Sequence, residues 1–274
     1  MNTKLKQFNK NTEGRDFVVG DLHGCFDDLQ YVLSKGLNFD STKDRLFSVG
    51  DLIDRGPASM MCADLLYEPW FHAVRGNHEQ LMIDTILHHD QNMKATWFWN
   101  GGQWAQDYHE TELHIAANKM DELPLVISVG NGADRFNVVH GDLLHFSPST
   151  RAGFSGGFPI LVTDEMIDHW AFSKDDELEM IWGRYIIANN PDITWQDKNN
   201  LSLTFVGHTP RREVCRVEQQ MYLDNGAVFY HTNENKSEGN HLVLACPTER
   251  VVYMYNMMWK TLKQVPFDEI LRLK

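Results

Sequence analysis

The sequence predicts a layered α/β fold in a single domain spanning residues 1–274. Three observations predict it. Short apolar strands alternate with amphipathic helical stretches between residues 17 and 87, most of those strands run into a glycine turn, and a second series of β-prone segments comes after residue 200. A chain of 274 residues buries a sizeable core, and 42% hydrophobic with 23% charged residues is ordinary for a globular protein.

Phe17-Val18-Val19 is a β-prone run ending at Gly20, and a helical stretch comes next with Phe26, Leu29, Val32 and Leu33 on one face. Leu46 to Val49 is a second strand, ending at Gly50. Pro57 opens a helix with Met60, Met61, Leu65 and Leu66, at the position where its missing N–H costs least. Phe71 to Val74 is a third strand and Leu81 to Leu87 a third helix, which completes a βαβαβ pattern. Residues from about Thr96 to Leu123 look helical and aromatic-rich; Trp97-Phe98-Trp99 is read first as core and second as a groove lining, and His88-His89 as a solvated pair. Leu125–Val129 and Phe136–Val139 form a hairpin with Asn131-Gly132 in the turn. Residues 141–200 read as an irregular, loop-rich insertion. Strand character resumes at Leu203–Val206, Val214–Val217, Met221–Leu223, His241–Ala245 and Val251–Tyr255.

Composition excludes several function classes. The first seventeen residues are polar and lack the apolar core of a secretory signal, and no stretch approaches the roughly 20 apolar residues of a membrane span. A cytoplasmic protein without a membrane partner is expected. The formal charge of −13 repels a phosphate backbone, so nucleic acid is not an expected partner. Cys25, Cys62, Cys215 and Cys246 are widely separated and read as reduced thiols rather than a zinc site or disulfide framework.

The chemistry is concentrated directly behind five of the strands. They lead into Gly20-Asp21-Leu22-His23-Gly24, Gly50-Asp51-Leu52-Ile53-Asp54-Arg55-Gly56, Arg75-Gly76-Asn77-His78-Glu79, His140-Gly141-Asp142 and Gly207-His208-Thr209. Ligands of α/β sheets gather outside the carboxyl ends of the strands. Any one of these peptides alone occurs by chance, but five behind five predicted strands do not. Carboxylate, amide and imidazole donors together suit Mn, Fe or Zn. Two ions about 3.5–4 Å apart require a shared ligand, and Asp51, behind the middle of the first three strands, is suitably placed to bridge.

The first three of these motifs resemble the signatures of the phosphoprotein phosphatase family of metallophosphoesterases, most closely its compact bacterial and bacteriophage serine/threonine phosphatases. Ile181-Trp182-Gly183-Arg184 is similar to their Trp-x-Arg segment, and Trp97 to Gly102 to their aromatic–Asn-Gly-Gly stretch. The resemblance implies two mixed β-sheets packed face to face with helices outside. It also implies a ligand allocation: Asp21 and His23 on one divalent metal, Asn77, His140 and His208 on the other, and Asp51 between them, with Mn²⁺ the expected ion. His140-Gly141-Asp142 departs from the family pattern, which leaves Asp142 as a spectator or as an added charge beside the second metal.

The expected reaction is hydrolysis of phosphoserine or phosphothreonine in a phosphorylated protein or peptide. A phosphate monoester dianion resists an anionic nucleophile; two cations neutralise its oxygens and lower the pKa of a bound water. The alkoxide leaving group needs a general acid. His78 is the candidate, oriented by Asp54 as the third member of a triad orients its histidine. Arg55, Arg75 and Arg184, with Asn77, are expected to hold the phosphoryl oxygens, which answers the net negative charge by local cations. The alternative reading is a symmetrical dinucleoside tetraphosphate hydrolase, which shares the first motif through Gly24-Cys25; Asp54-Arg55-Gly56 and Gly76-Asn77-His78-Glu79 favour the protein phosphatases. A nuclease is disfavoured by the acidic charge, and a scaffold that lost its chemistry by the intact ligand set.

Overall fold

The structure, a computed structural model, describes residues 4–145, 160–189, 200–232 and 239–273. Two mixed sheets form its centre. The first has six strands: β2 (Asp16–Val19), β3 (Arg45–Ser48), β4 (Phe71–Ala73), β12 (His241–Cys246), β13 (Val251–Asn256) and β14 (Thr261–Pro266), in the order β14-β13-β12-β2-β3-β4. The second has seven: β1 (Leu5–Phe8), β5 (Val126–Val129), β6 (Phe136–Val139), β9 (Leu203–Val206), β10 (Cys215–Val217), β11 (Gln220–Tyr222) and β15 (Leu271–Arg272), in the order β1-β5-β6-β9-β11-β10-β15. A two-stranded ribbon, β7 (Leu144–His145) with β8 (Ile160–Leu161), stands apart.

Alternation along the strands builds the layers, because successive side chains leave opposite faces. Val18, Phe47, Ile127, Phe136, Val138, Phe205 and Val243 meet between the sheets. Phe47 and Phe136 pack edge to face at 5.8 Å, as do Phe136 and Phe205. Their neighbours Phe17, Val19, Leu46, Leu242 and Leu244 face the other way, onto α1 (Phe26–Tyr31), α2 (Ser59–Asp64), α3 (Asn77–Ile86), α4 (Gln91–Trp99) and α5 (Glu110–Asp121). Val126, Val139, Val206 and Tyr222 cover the outer face of the second sheet with α6 (Asp164–Asp168), α7 (Lys174–Trp182) and α8 (Tyr185–Asn189). The result is helix, sheet, sheet, helix, as the family resemblance implied.

The parallel trio β2-β3-β4 is present, with β3 in the middle. Within 141–200, where a loop-rich insertion was expected, the described residues hold α6, α7, α8 and the β7–β8 ribbon. Their acidic runs are helix starts. Thr163 caps α6 and Ser173 caps α7 through the Asp176 N–H, and Asp175, Asp176 and Glu177 face the positive end of the helix dipole. Residues 146–159 and 190–199 of that segment lie outside the described residues. The β5–β6 hairpin pairs Val129 with Phe136 as expected, and its loop, residues 130–135, holds Asn131-Gly132 and a 3₁₀ turn at Gly132–Asp134. One expectation needs correction: α3 begins at Asn77 rather than Leu81, because the Glu79 carboxylate accepts the Gly76 N–H and closes the first turn.

Candidate dinuclear metal centre

The second, third and fifth of the predicted strand ends, with Asp51, Asn77 and His208, line one cavity of about 730 Å³. It lies where the carboxyl ends of β2, β3 and β4 meet those of β6 and β9, and its lining includes Asp51, Arg55, His78, Trp104, Arg184 and His208. The turns that carry the polar groups are strained. His23, Asp51, Asp54, Arg55 and His208 all have φ between 43° and 77°, a left-handed conformation that costs a residue with a Cβ about 1–3 kcal/mol.

Hydrogen bonds hold the strain in place. The Glu79 carboxylate accepts the N–H groups of Asp51 (2.9 Å), Leu52 (2.8 Å) and Gly76 (2.8 Å), which ties the second turn to the third. The Asp51 carbonyl accepts the N–H groups of Leu22 and His23, which ties the first turn to the second. A side chain at Gly76 would collide with the Asp51 carboxylate, so only glycine permits this approach.

Two groups of ligand-bearing side chains share Asp51: His23, Asp51 and His78, and Asp51, His140 and His208. All are buried. The ring orientations show what the site can hold. Nδ1 of His23 donates to the Ile53 carbonyl and Nδ1 of His140 to the Val49 carbonyl, each at 2.8 Å, which leaves a lone pair on each Nε2. That lone pair of His140 faces the Asn77 Oδ1 at 2.9 Å and the Asp51 Oδ1 at 3.3 Å; that of His23 faces Asp51 Oδ2 at 3.5 Å. Acceptors aimed at acceptors fit a cation. Nδ1 of His208 is buried and, among the described residues, has no hydrogen-bond partner. Asp21 stands beside this group, its carboxylate accepting the His208 N–H at 3.0 Å. The donor set is therefore suited to divalent metals with nitrogen and oxygen ligands.

The electrostatics agree. Burial would raise the Asp51 carboxyl, but the imidazoles of His140, His78 and His23 hold it far below the usual range. Burial depresses His23 and His140, and takes His208 down to about 3, so these rings are neutral and ready to ligate. Burial and the neighbouring Asp224 and Asp51 raise Asp21 well above an ordinary carboxyl, the state of a group that lacks a counter-ion.

His78 has different surroundings. Its Nδ1 donates to Asp54 Oδ2 at 2.6 Å, and the Arg55 guanidinium reaches its Nε2 at 3.0 Å. Burial opposes its charge, yet Asp51 and the Asp54 hydrogen bond outweigh burial and raise it. Arg55 also donates to Nε2 of His23 at 3.0 Å, and Arg184 donates to Nε2 of His208 at 3.0 Å.

Arg75 requires a correction. It does not line the cavity. Its guanidinium hydrogen-bonds Gln80 Oε1 at 3.0 Å, the Asp121 carbonyl at 2.6 Å and Asp121 Oδ1 at 3.0 Å, so it ties the β4–α3 turn to the end of α5. A buried guanidinium needs such partners close by, and the Asp121 end of α5 supplies them. Asp142 is buried behind the site; it accepts the Ile186 N–H at 2.7 Å and the Tyr222 hydroxyl at 3.2 Å, which anchors the segment carrying Arg184. Trp97 is core, whereas Trp99 is 91% exposed at the cavity rim, so the aromatic stretch divides between both readings.

Sequence reasoning missed Asp224, buried after β11, whose carboxyl burial lifts to about 6 and whose Oδ1 accepts the Gly226 N–H. The signal was present: Met221-Tyr222-Leu223 runs into Asp224-Asn225-Gly226, a sixth strand ending in a polar glycine turn. Glu79 and the indoles of Trp97 and Trp104 were missed as well, because nothing in their spacing tells which N–H groups Glu79 accepts or that both indoles donate to Asp54.

Two sheets with such ligands gathered at one edge define a dinuclear phosphoesterase scaffold. Residues 17–212 match the Calcineurin-like phosphoesterase family, and the chain belongs to it. Members of this family are metal-dependent hydrolases with a dinuclear site. The chain is 33% identical over 217 residues, 78% of its length and 87% of the relative's, to serine/threonine-protein phosphatase 1 of Salmonella typhimurium. A shorter match, 42% over 73 residues and 27% of the relative, is to a symmetrical bis(5′-nucleosyl)-tetraphosphatase of Actinobacillus pleuropneumoniae. Among solved structures, a protein serine/threonine phosphatase from Saccharomyces cerevisiae superposes with a TM-score of 0.57 at 18% identity, covering 96% of this chain and 84% of that one; this likeness concerns the fold. Among the described residues no helix is long and apolar enough to cross a membrane.

Proposed function

We propose that the protein is a two-metal phosphomonoester hydrolase that removes phosphate from phosphoserine and phosphothreonine in proteins or peptides, working as one domain. The observation that carries this reading is Asp51, shared by two histidine groups, with a hydrogen-bonded Asp54–His78 pair beside it. Asp21, His23 and Asp51 are assigned to one cation, and Asp51, Asn77, His140 and His208 to the other. Mn²⁺ is the first choice and Fe or Zn the others, on the ligand chemistry. When bound, the two cations supply charge for the phosphoryl oxygens and a water of lowered pKa.

The chain's own residues do the rest. Arg55 and Arg184 exchange their imidazole partners for phosphoryl oxygens, joined by the Asn77 amide. Asp54 keeps the proton of His78 on Nδ1, so that Nε2 is the nitrogen that delivers a proton to the departing oxygen. The bond from phosphorus to that oxygen breaks as a water oxygen bonds to phosphorus and the proton arrives, so that the alcohol leaves neutral and the phosphoryl group departs as inorganic phosphate. The match to a protein phosphatase, over 78% of the chain, supports this substrate over the tetraphosphate reading, whose match covers 26% of the chain. The four cysteines are buried free thiols, the state that a reducing compartment maintains, which supports a cytoplasmic setting.

The test uses metal-stripped protein with and without Mn²⁺ on a phosphoserine peptide and a dinucleoside tetraphosphate. Mn²⁺-dependent phosphate release from the peptide, absent in Asp51→Asn, is expected; cleavage confined to the dinucleotide would move the protein to the alternative. His78→Asn should lower kcat on an alkyl phosphate about 100-fold or more while an aryl phosphate, whose leaving group needs no proton, is largely spared. Equal losses on both would remove His78 from the acid role.

A further inference from the structure

We infer that Trp97 and Trp104 are positioning residues for proton transfer: their indole N–H groups lock the Asp54 carboxylate, and through it the orientation of the His78 ring. The inference rests on the reading of His78 as the proton donor.

Asp54 is fully buried, and its carboxylate meets three ring N–H groups. Trp104 Nε1 donates to Oδ1 at 2.6 Å. Trp97 Nε1 lies 3.0 Å from Oδ1 and 2.9 Å from Oδ2. His78 Nδ1 takes Oδ2 at 2.6 Å. Ser59 Oγ accepts the backbone N–H of Asp54 at 2.9 Å, which fixes the main chain as well. The choice of donor matters. A hydroxyl or a water gives or accepts a proton and rotates, so it would let the carboxylate turn. An indole N–H only donates, on a ring with two torsions, and these two rings brace each other edge to face at 6.3 Å and 89°. Trp97 is 1% exposed, so its N–H would otherwise be buried without an acceptor.

The chain is built to bring these rings together. Trp97 lies in the last turn of α4, Trp104 in the 3₁₀ turn Gly102–Asp107, and Asn100-Gly101 joins the two elements. A Cβ on Gly102 would stand 2.7 Å from Nε1 of Trp97, in the space the indole occupies. The Gly101 carbonyl accepts the Arg55 N–H at 3.2 Å, so the same turn is tied to the residue after Asp54. Bulk hydrophobicity explains a buried ring; it does not explain two indole nitrogens on one carboxylate.

The experiment compares Mn²⁺-reconstituted wild type with Trp104→Phe, Trp97→Phe and a protein carrying 3-benzothienylalanine at position 104. That last ring keeps the indole's shape and replaces its N–H with sulfur, so it survives if phenylalanine leaves a destabilising gap. kcat and KM are measured on an alkyl and an aryl phosphate, with His78→Asn as reference. The expected result is a loss of about ten-fold in kcat on the alkyl phosphate, with KM, aryl turnover and bound Mn²⁺ retained. Equal losses on both substrates, or full alkyl turnover with benzothienylalanine, overturn the inference while His78→Asn still shows its substrate split. If His78→Asn shows no split, the reading of His78 fails and the role of the indoles falls with it.

Discussion

Asp51 is the side chain on which the site converges, and its position is secured by Glu79. Three backbone N–H groups from two turns point at one buried carboxylate, which holds Asp51 in a left-handed conformation it would not otherwise keep. Glu79→Gln replaces one accepting oxygen with an NH₂ group that faces donors. Mn²⁺ affinity, measured by calorimetry on the folded variant, should fall about 10–100-fold. An unchanged affinity would mean that the turns hold their shape without the carboxylate. Arg75 carries the opposite lesson. An arginine beside a ligand reads as a phosphate clamp in sequence, yet side-chain direction is set by Asp121 and Gln80, neither of which that motif contains.

Among the elements, β4 offers a measurable pH effect. Its His72 packs against Phe8 at 4.4 Å and Phe47 at 5.3 Å. Burial, with Lys6 and Arg45 nearby, lowers it from 6.5 to about 4. Above pH 6.5 both folded and unfolded chains carry a neutral ring and its contribution is complete. As the pH falls from 6.5 towards 4, the unfolded chain takes up a proton that the folded chain refuses, so stability is lost. His72→Phe should flatten this decline in urea midpoints across that window; parallel curves for both proteins would refute it. The legibility of the elements depends on the same logic of burial. β2, β3, β6 and β9 were readable because apolar runs end abruptly in polar turns. β1, β14 and β15 were not, since they lie at the sheet edges, where Lys6, Lys263 and Arg272 break any apolar pattern. The helices α6 and α7 were hidden because short acidic starts resemble loops until a cap is seen to close them.

For the whole molecule, the decisive contact is between the sheets. Asp21, His23 and Asp51 come from the six-stranded sheet, His140 and His208 from the seven-stranded one, and packing in the middle layer keeps them in register together with the His140–Val49 and His208–Asp21 hydrogen bonds. Phe205 is fully buried there against Phe136 and Phe267. Phe205→Ala should lower the unfolding free energy by about 3–5 kcal/mol and weaken Mn²⁺ binding together, as read by urea titration with and without metal. Loss of stability with metal affinity intact would show that the ligand turns hold themselves. That both sheets exist was legible in the family motifs; that the site depends on their contact was not, because the pairing of Phe47 with Phe136 joins residues far apart in the chain.

The neighbour of β2 on its other side is β12, formed by residues 241–246. The strand that delivers Asp21 and His23 therefore waits, during synthesis, for a partner made more than two hundred residues later. A ribosome-bound chain that already contains every proposed ligand through His208 still lacks one flank of its central strand. Closure over such a separation is slow, and it makes the appearance of activity a late event: a nascent chain gains catalysis only after residues 241–246 have emerged and paired with β2.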